Sequence, residues 1–157
     1  MKYDSSKIAY SNKEILQELD ALLTGRWITD LCNTSALLMS RCKDINWVGF
    51  YLVQPDNPQM LWLGPFQGQP ACTFIPFFKG VCGTAAGSNK TVRVKNVDEF
   101  PGHIVCDSKS KSELVIPIVK YTQVIGVLDI DSPALDRFSE GDQIFFENVV
   151  KTLMIKN

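Results

Sequence analysis

Residues 113–131 read ELVIPIVKYTQVIGVLDID, and this stretch decides the fold that the sequence predicts. Two runs rich in Val, Ile and Leu, 113–120 and 123–131, flank the pair Tyr121-Thr122. Such runs are typical of β-strands, and the short break between them indicates a hairpin. We therefore expect two adjacent antiparallel strands, with acidic residues where the first strand begins and the second ends.

Helices are predicted toward both ends of the chain. Within 11–41, apolar side chains recur at spacings of three and four, the pattern of amphipathic helices, and Gly25 separates two of them. Ser139 begins a closing helix with apolar residues on one side. These helices could pair with a second copy in a homodimer, or pack on the sheet with the same faces.

Short strands and loops are predicted between the helical ends. We expect a short helix after Gly80 and a long polar surface loop over 100–112. Four further strands are expected at 47–53, 60–64, 71–75 and 91–94. No repeat or linker divides the chain, so residues 1–157 are predicted to form one α+β domain, a mainly antiparallel sheet with helices grouped at the chain ends.

Composition argues against several classes of protein. The chain has 157 residues, of which 45% are hydrophobic and 21% charged, the balance of an ordinary globular domain. With 16 Lys+Arg against 17 Asp+Glu, the net charge of −1 offers no electrostatic basis for binding nucleic acid or an anionic membrane. The apolar runs are shorter than the ~20 residues of a transmembrane helix, and the first residues lack the apolar core of a signal peptide. We therefore expect a cytoplasmic protein without nucleic-acid or membrane partners.

Five cysteines, an odd number without a CxxC pair, argue against a secreted disulfide scaffold. Cys32 and Cys42 fall in or at the end of the second helix, and we expect both to be buried structural thiols. The other three, Cys72, Cys82 and Cys106, lie on predicted loops or at the ends of elements. Reactive groups concentrate in such places, so these three are the candidates for chemistry.

Three interpretations of the candidate thiols stay open from the residues alone. They can be ordinary buried side chains. They can bind zinc together with His103, the chain's only histidine, although no CxxC or HxxxH pair anchors such a site. They can also perform redox chemistry, in which one thiol attacks and another resolves the product. Cys82 is predicted at a helix N-terminus, where free N–H groups favour an anion, either its own thiolate or a bound carboxylate.

Acidic and aromatic residues complete the predicted constellation. Period-two alternation places Asp129 and Asp131 on one face of their strand, and Glu113 begins the neighbouring strand. If the three carboxyl groups line one pocket, they raise one another's pKa, and one of them stays protonated as a general acid. The alternative is that each is a solvated carboxylate at a strand end. Likewise, Trp47 and Tyr51 share one face of the first strand and form either part of the core or the wall of a small apolar pocket.

Seven stretches carry a family resemblance: 33–38 (NTSALL), 46–52 (NWVGFYL), 63–68 (LGPFQG), 80–85 (GVCGTA), 102–108 (GHIVCDS), 112–118 (SELVIPI) and 125–132 (IGVLDIDS). In them the chain resembles the free methionine-(R)-sulfoxide reductases, which are single GAF domains. The likeness extends over three-quarters of the chain. One departure is Phe78, at a position where the family usually has Gly.

The resemblance implies a GAF fold with a central six-stranded antiparallel sheet, and reduction of free L-methionine (R)-sulfoxide. It implies thioredoxin as the reductant and neither a cofactor nor a metal. By position, Cys106 resembles the attacking thiol, Cys72 its disulfide partner, and Cys82 the third family cysteine. The remaining matches are pocket residues: the carboxylates Glu113, Asp129 and Asp131, and the aromatic residues Trp47 and Tyr51. The alternative function is a GAF module that senses a small ligand without turnover.

Overall fold

The computed structural model describes residues 9–157. Its helices are α1 (Asn12–Leu22), α2 (Trp27–Arg41), α3 (Gly80–Ser88) and α4 (Glu140–Lys156), with a 3₁₀ turn at Val97–Glu99. Its strands are β1 (Trp47–Gln54), β2 (Asn57–Gln67), β3 (Phe74–Pro76), β4 (Val92–Val94), β5 (Ser112–Lys120) and β6 (Gln123–Ser132). The predicted α+β class is confirmed, as is the order of the elements.

The six strands form one sheet in the order β3-β2-β1-β6-β5-β4. Every neighbouring pair is antiparallel, and β5 and β6 are the hairpin predicted at Tyr121-Thr122. Both turn residues have positive φ, 49° and 73°, as tight hairpin turns require. In this hairpin Glu113 pairs with Asp131, so the acidic ends of the two strands are adjacent.

Alternation along the central strands divides the core between the two faces of the sheet. One face, with Val48, Phe50 and Leu128, packs against helices α1, α2 and α4. The opposite face carries Trp47, Tyr51 and the acidic side chains, and is covered by α3 and the loops around it. The candidate pocket residues therefore lie on the face away from the terminal helices.

The terminal helices begin as the sequence predicts. Ser11 and Glu14 form a capping box at the start of α1, and Ser139 and Asp142 form another at the start of α4. Helix α4 packs on β5 of the sheet, and α1 packs against α2 and α4. Pairing of these helices with a second copy in a homodimer stays a prediction. None of the helices in residues 9–157 combines the length and apolar character needed to span a bilayer.

Several local expectations are wrong. Cys32 is exposed, because α2 packs through Leu31, Thr34 and Ser35 and turns Cys32 outward. Cys42 is half-buried, and burial raises the pKa of its thiol to about 12. The strand expected at 71–75 begins only at Phe74, which leaves Cys72 in the preceding loop.

The loop over 100–112 is not simply a polar surface loop, and the departure at Phe78 has a visible consequence. Within the loop, Ile104 packs against Gly80 at the start of α3, and Ser110 is buried. Phe78 has a φ of 64°, a left-handed conformation that favours Gly over a bulky residue. Its exposed ring lies against Gly87, where an added Cβ would come within 2.6 Å of it.

Candidate active site

A disulfide joins Cys72 to Cys106 across two loops, with the Cα atoms 5.5 Å apart and a sequence separation of 34. Cys72 precedes β3, and Cys106 lies in the loop between the 3₁₀ turn and β5. The Tyr51 hydroxyl donates a 3.0 Å hydrogen bond to the Cys72 carbonyl, which ties the first loop to the central sheet. The pairing implied by the family resemblance is therefore the pairing that the structure shows.

The disulfide lies beside a small cavity of about 30 Å³. Six of the predicted site residues line it: Tyr51, Cys82, Cys106, Glu113, Asp129 and Asp131. Trp47 lines an adjoining cavity of about 20 Å³ together with Cys106 and the two aspartates. Cys72 lines neither cavity and reaches the site through its bond to Cys106. The structure thus brings all eight predicted site residues into one region.

The aromatic residues form a wall on one side. The rings of Trp47 and Tyr51 lie 5.9 Å apart, and Phe66 extends the stack with its ring centre 5.3 Å from that of Trp47. Trp47 Nε1 donates a 3.1 Å hydrogen bond to the Gln69 carbonyl. Because its polar atom is satisfied, the indole presents its apolar surface to the cavity that it lines.

The carboxyl groups are buried next to Cys82. Glu113 and Asp129 are only 6% and 5% exposed. The Cys82 thiol donates to Glu113 Oε1 at 3.8 Å, while the buried Asp129 Oδ1 accepts no hydrogen bond within residues 9–157. Burial disfavours the ionised form of a carboxyl group, so these groups favour their neutral forms.

Burial and mutual repulsion raise every pKa in this cluster. Burial is the main cause for Glu113, with the charge of Asp131 adding to it, and the pKa of Glu113 lies well above its usual value. The pKa of Asp129 is likewise raised by burial and by Glu113, and that of Asp131 by burial and by Asp129. The three groups interact closely, so they titrate as a set and retain protons at pH values where free carboxyls have lost theirs.

Of the two anions expected at the start of α3, the Cys82 thiolate or a bound carboxylate, the structure disfavours the thiolate. Cys82 is on the first turn of α3, as predicted, but it is 3% exposed. Burial and the nearby charges of Asp129 and Glu113 raise the pKa of its thiol well above the usual value. These effects oppose that of the helix N-terminus and favour the thiol, which donates a hydrogen bond to Glu113.

Several residues of the site were missed by the sequence interpretation, or were considered only as zinc ligands. His103 lines the main cavity with Nε2 3.5 Å from Glu113 Oε2, and burial lowers the pKa of its imidazole. Asp107 and Ser110 also line it, and Asn46 donates hydrogen bonds to both. Asp107 follows Cys106 directly and Asn46 precedes Trp47, so adjacency to a predicted site residue was the available signal.

The four-ligand zinc set considered from the sequence does not form. Cys72 and Cys106 are bonded to each other and offer no thiolate. Donor atoms of Cys82, Glu113 and Asp129 lie within 4.8 Å of one another, so these are the residues that could hold an ion. They supply three protein ligands, one fewer than a structural zinc site uses.

Comparison with known proteins agrees with this geometry. The family model of the GAF domain matches residues 26–156. The free methionine-R-sulfoxide reductase of Escherichia coli is 46% identical over 142 residues, covering 89% of this chain and 84% of that protein. The free methionine-R-sulfoxide reductase of Neisseria meningitidis, solved in complex with its substrate, superposes with a TM-score of 0.87 at 40% identity, covering 92% of this chain and 87% of that one. The fRMsr of Staphylococcus aureus, also solved in a complex with substrate, gives a TM-score of 0.88 at 44% identity, with 95% and 97% covered.

The curled antiparallel sheet and the pocket between it and α3 define the chain as a GAF domain. The identity to named relatives extends over nearly the whole of both chains. Within that class, the chain belongs to the free methionine-R-sulfoxide reductases.

Proposed function

We propose that this chain reduces free methionine (R)-sulfoxide to methionine, with Cys106 as the attacking thiol and Cys72 as the thiol that recycles it. The observation that carries the proposal is the Cys72–Cys106 disulfide beside a cavity lined by three carboxyl groups, of which Glu113 and Asp129 are buried. The names of the E. coli and N. meningitidis relatives support the substrate. An oxidisable thiol pair and a proton source are the two components that sulfoxide reduction requires.

The reaction begins with attack of Cys106 sulfur on the sulfoxide sulfur. The sulfur–oxygen bond of the substrate breaks, methionine is released with its sulfur reduced, and the oxygen remains on Cys106 as a sulfenic acid. The Cys72 thiol then attacks the Cys106 sulfur, the disulfide forms, and the oxygen leaves as water. A dithiol reductant returns the pair to two thiols and is itself oxidised to a disulfide.

The carboxyl groups supply the proton that makes oxygen a leaving group. A sulfoxide oxygen is a poor leaving group until it is protonated, so an acid must lie beside the nucleophile. Glu113 lines the same cavity as Cys106, and its raised pKa keeps a proton available. A neutral acid also avoids the repulsion that an ionised carboxylate would exert on a Cys106 thiolate.

Restriction to the free amino acid follows from the pocket's charge and size. The substrate ammonium needs an anionic partner, and Asp131, which lines both cavities, is positioned to supply one. In the protein without substrate its pKa is raised, and the bound ammonium offsets this by favouring the ionised carboxylate. An amide nitrogen within a peptide cannot supply that cation. The cavity of about 30 Å³ holds roughly two water molecules, so the disulfide form is too closed for an amino acid. Substrate therefore enters the dithiol form, in which the two loops are no longer joined.

We further propose thioredoxin as the reductant and the cytoplasm as the place of action. Cys72 and Cys106 are both partly accessible, as exchange with a protein dithiol requires. Three other cysteines, Cys32, Cys42 and Cys82, are free, which fits a reducing compartment.

The proposal is tested by adding each epimer of free methionine sulfoxide to the protein with thioredoxin, thioredoxin reductase and NADPH. We expect NADPH consumption with the (R) epimer, and product formation in a parallel reaction with dithiothreitol. Turnover with dithiothreitol alone would refute thioredoxin as reductant while retaining the reductase. Binding of the sulfoxide without turnover in either reaction would refute the reductase and indicate a ligand-sensing GAF module.

A further inference from the structure

The segment that carries Cys106 has few attachments of its own. The His103 N–H donates to the Phe100 carbonyl at 3.1 Å, and the Ser110 N–H donates to the Asp107 carbonyl at 3.2 Å. Between these turns, residues 104–106 make no backbone hydrogen bond to the rest of the described chain, 9–157. The packing of Ile104 on Gly80 and the disulfide to Cys72 hold the segment. Reduction of the disulfide removes the stronger of these two restraints.

One further attachment survives reduction, and it comes from Asn46. Asn46 Nδ2 donates to Asp107 Oδ2 at 3.1 Å and to Ser110 Oγ at 3.2 Å. Its backbone N–H donates to the Asp131 carbonyl at 3.0 Å, so the residue itself is fixed to the sheet. Asp107 is adjacent to Cys106, and holding its carboxylate limits where the neighbouring sulfur can move.

The side-chain amide of Asn46 uses its N–H donors and leaves its oxygen without a partner. Asn46 Oδ1 is buried and accepts no hydrogen bond within residues 9–157. An unsatisfied buried acceptor costs folding free energy, so stability alone does not favour an amide at this position. What the amide supplies is two N–H donors, which neither Asp nor Ser can replace.

We propose that Asn46 is a positioning residue that holds Cys106 within reach of Cys72 and of the pocket in the dithiol state. The part that concerns sulfoxide attack rests on the proposed function, whereas the part that concerns disulfide closure does not. A hydrogen bond to a charged carboxylate is among the stronger single contacts, and loss of orientation lowers the effective concentration of a reacting group.

The test is the thiol–disulfide equilibrium of the intact protein in glutathione buffers, with no sulfoxide present. The protein disulfide and two glutathione thiols exchange with the protein dithiol and one glutathione disulfide. Trapping with an alkylating reagent and peptide mass spectrometry give the oxidised fraction of Cys72 and Cys106. In Asn46→Ala we expect the equilibrium to shift toward the dithiol by about tenfold, because a Cys106 thiol that is less well oriented has a lower effective concentration at Cys72.

Two further variants make the result decisive. Thr91→Val is the matched control, because Thr91 Oγ1 bonds Glu147 at 2.8 Å and lies outside both cavities, and its equilibrium should equal that of the wild type. Asp107→Asn keeps the shape but weakens the bond to Asn46, and should shift the equilibrium in the same direction by less. It also provides the measurement if Asn46→Ala does not fold. An equilibrium within twofold of wild type in folded Asn46→Ala, or in folded Asp107→Asn if Asn46→Ala does not fold, overturns the proposal. A shift in Thr91→Val equal to that in Asn46→Ala overturns it as well.

Activity with dithiothreitol provides a second readout. Asn46→Ala should lower kcat about tenfold with a smaller change in KM, because the residues that bind the amino acid are untouched. A change confined to KM would contradict a positioning role. If the wild type reduces no sulfoxide, the proposed function fails, but the glutathione equilibrium still tests the role of Asn46 in disulfide closure.

Discussion

Replacing Glu113 by Gln should stabilise the protein while removing most of its activity. In the folded chain Glu113 is 6% exposed and its pKa is raised, chiefly by burial and then by Asp131. Between the ordinary pKa of a glutamate, about 4.3, and the higher folded value, the folded state holds a proton that the unfolded state has released. The free energy of unfolding therefore falls as pH rises through this interval, and the deficit persists above it.

The size of the expected gain in the free energy of unfolding follows from the contacts that the Gln side chain would keep and the charge that it would lack. Its amide oxygen can still accept the hydrogen bond that Cys82 donates to Glu113 at 3.8 Å, and it adds no charge. Each unit by which the folded and unfolded pKa values differ is worth about 1.4 kcal/mol. A buried polar group without a hydrogen-bond partner costs about 1–3 kcal/mol, and a charged one costs more. At pH 8 we expect a gain of about 1–2 kcal/mol, equivalent to a rise of roughly 2–8 °C in Tm for a chain of this size. At pH 4, where the folded and unfolded carboxyls are both protonated, the gain should nearly vanish.

Thermal unfolding of the reduced protein at the two pH values measures this effect. Methionine formation with dithiothreitol should fall by roughly 10²–10⁴-fold in the same variant, the usual worth of a general acid. Ser35→Ala, which removes a buried hydroxyl bonded to the Leu31 carbonyl on the helical face, is a control that should destabilise equally at both pH values. An equal change in Tm at pH 4 and pH 8 for Glu113→Gln would refute the assignment of a raised pKa.

Three further predictions concern the thiols and the substrate's charge. Cys106→Ser should abolish turnover, since a serine hydroxyl is far too weak a nucleophile. Replacement of the exposed Cys32 by Ser should keep near wild-type rates. Full activity of Cys106→Ser would exclude Cys106 as the nucleophile. Cys72→Ser should form about one equivalent of methionine per site and then stall with thioredoxin, with turnover restored by dithiothreitol; unchanged turnover with thioredoxin would assign recycling to another thiol. Asp131→Asn should raise KM more than it lowers kcat. N-acetylmethionine sulfoxide should be a poor substrate for the wild type. Reduction of the acetylated compound at nearly the rate of free methionine sulfoxide would contradict recognition of the ammonium.

The fold could be predicted from residues whose environment is set by local pattern. Alternating Val, Ile and Leu in β5 and β6, and serine caps before α1 and α4, specify elements without reference to the rest of the chain. The same alternation placed Asp129 and Asp131 on one face, and the register of the hairpin brought Glu113 opposite Asp131. The acidic side of the site was predictable for that reason.

What could not be predicted depends on contacts between distant segments. The burial that keeps Cys82 a thiol comes from β5 and β6 packing against α3, and nothing in the Gly80–Ser88 sequence reveals it. The orientation of Cys32 depends on which face of α2 meets the sheet. Asn46 and Asp107 are 61 residues apart, and their hydrogen bond exists only because the loop before β5 returns to the start of β1.

The closed cavity beside the disulfide imposes an order on the catalytic cycle. A chain whose Cys72 and Cys106 are joined has space for roughly two water molecules, so we expect it to exclude an amino acid until the disulfide is reduced. Methionine sulfoxide then binds only the dithiol form and thioredoxin reacts only with the disulfide form. The two therefore do not compete for the same form of the protein. Such a cycle gives parallel lines in double-reciprocal plots of rate against methionine sulfoxide at several thioredoxin concentrations. High concentrations of methionine sulfoxide leave the recycling step unimpeded, so the enzyme keeps its full rate when oxidised methionine is most abundant.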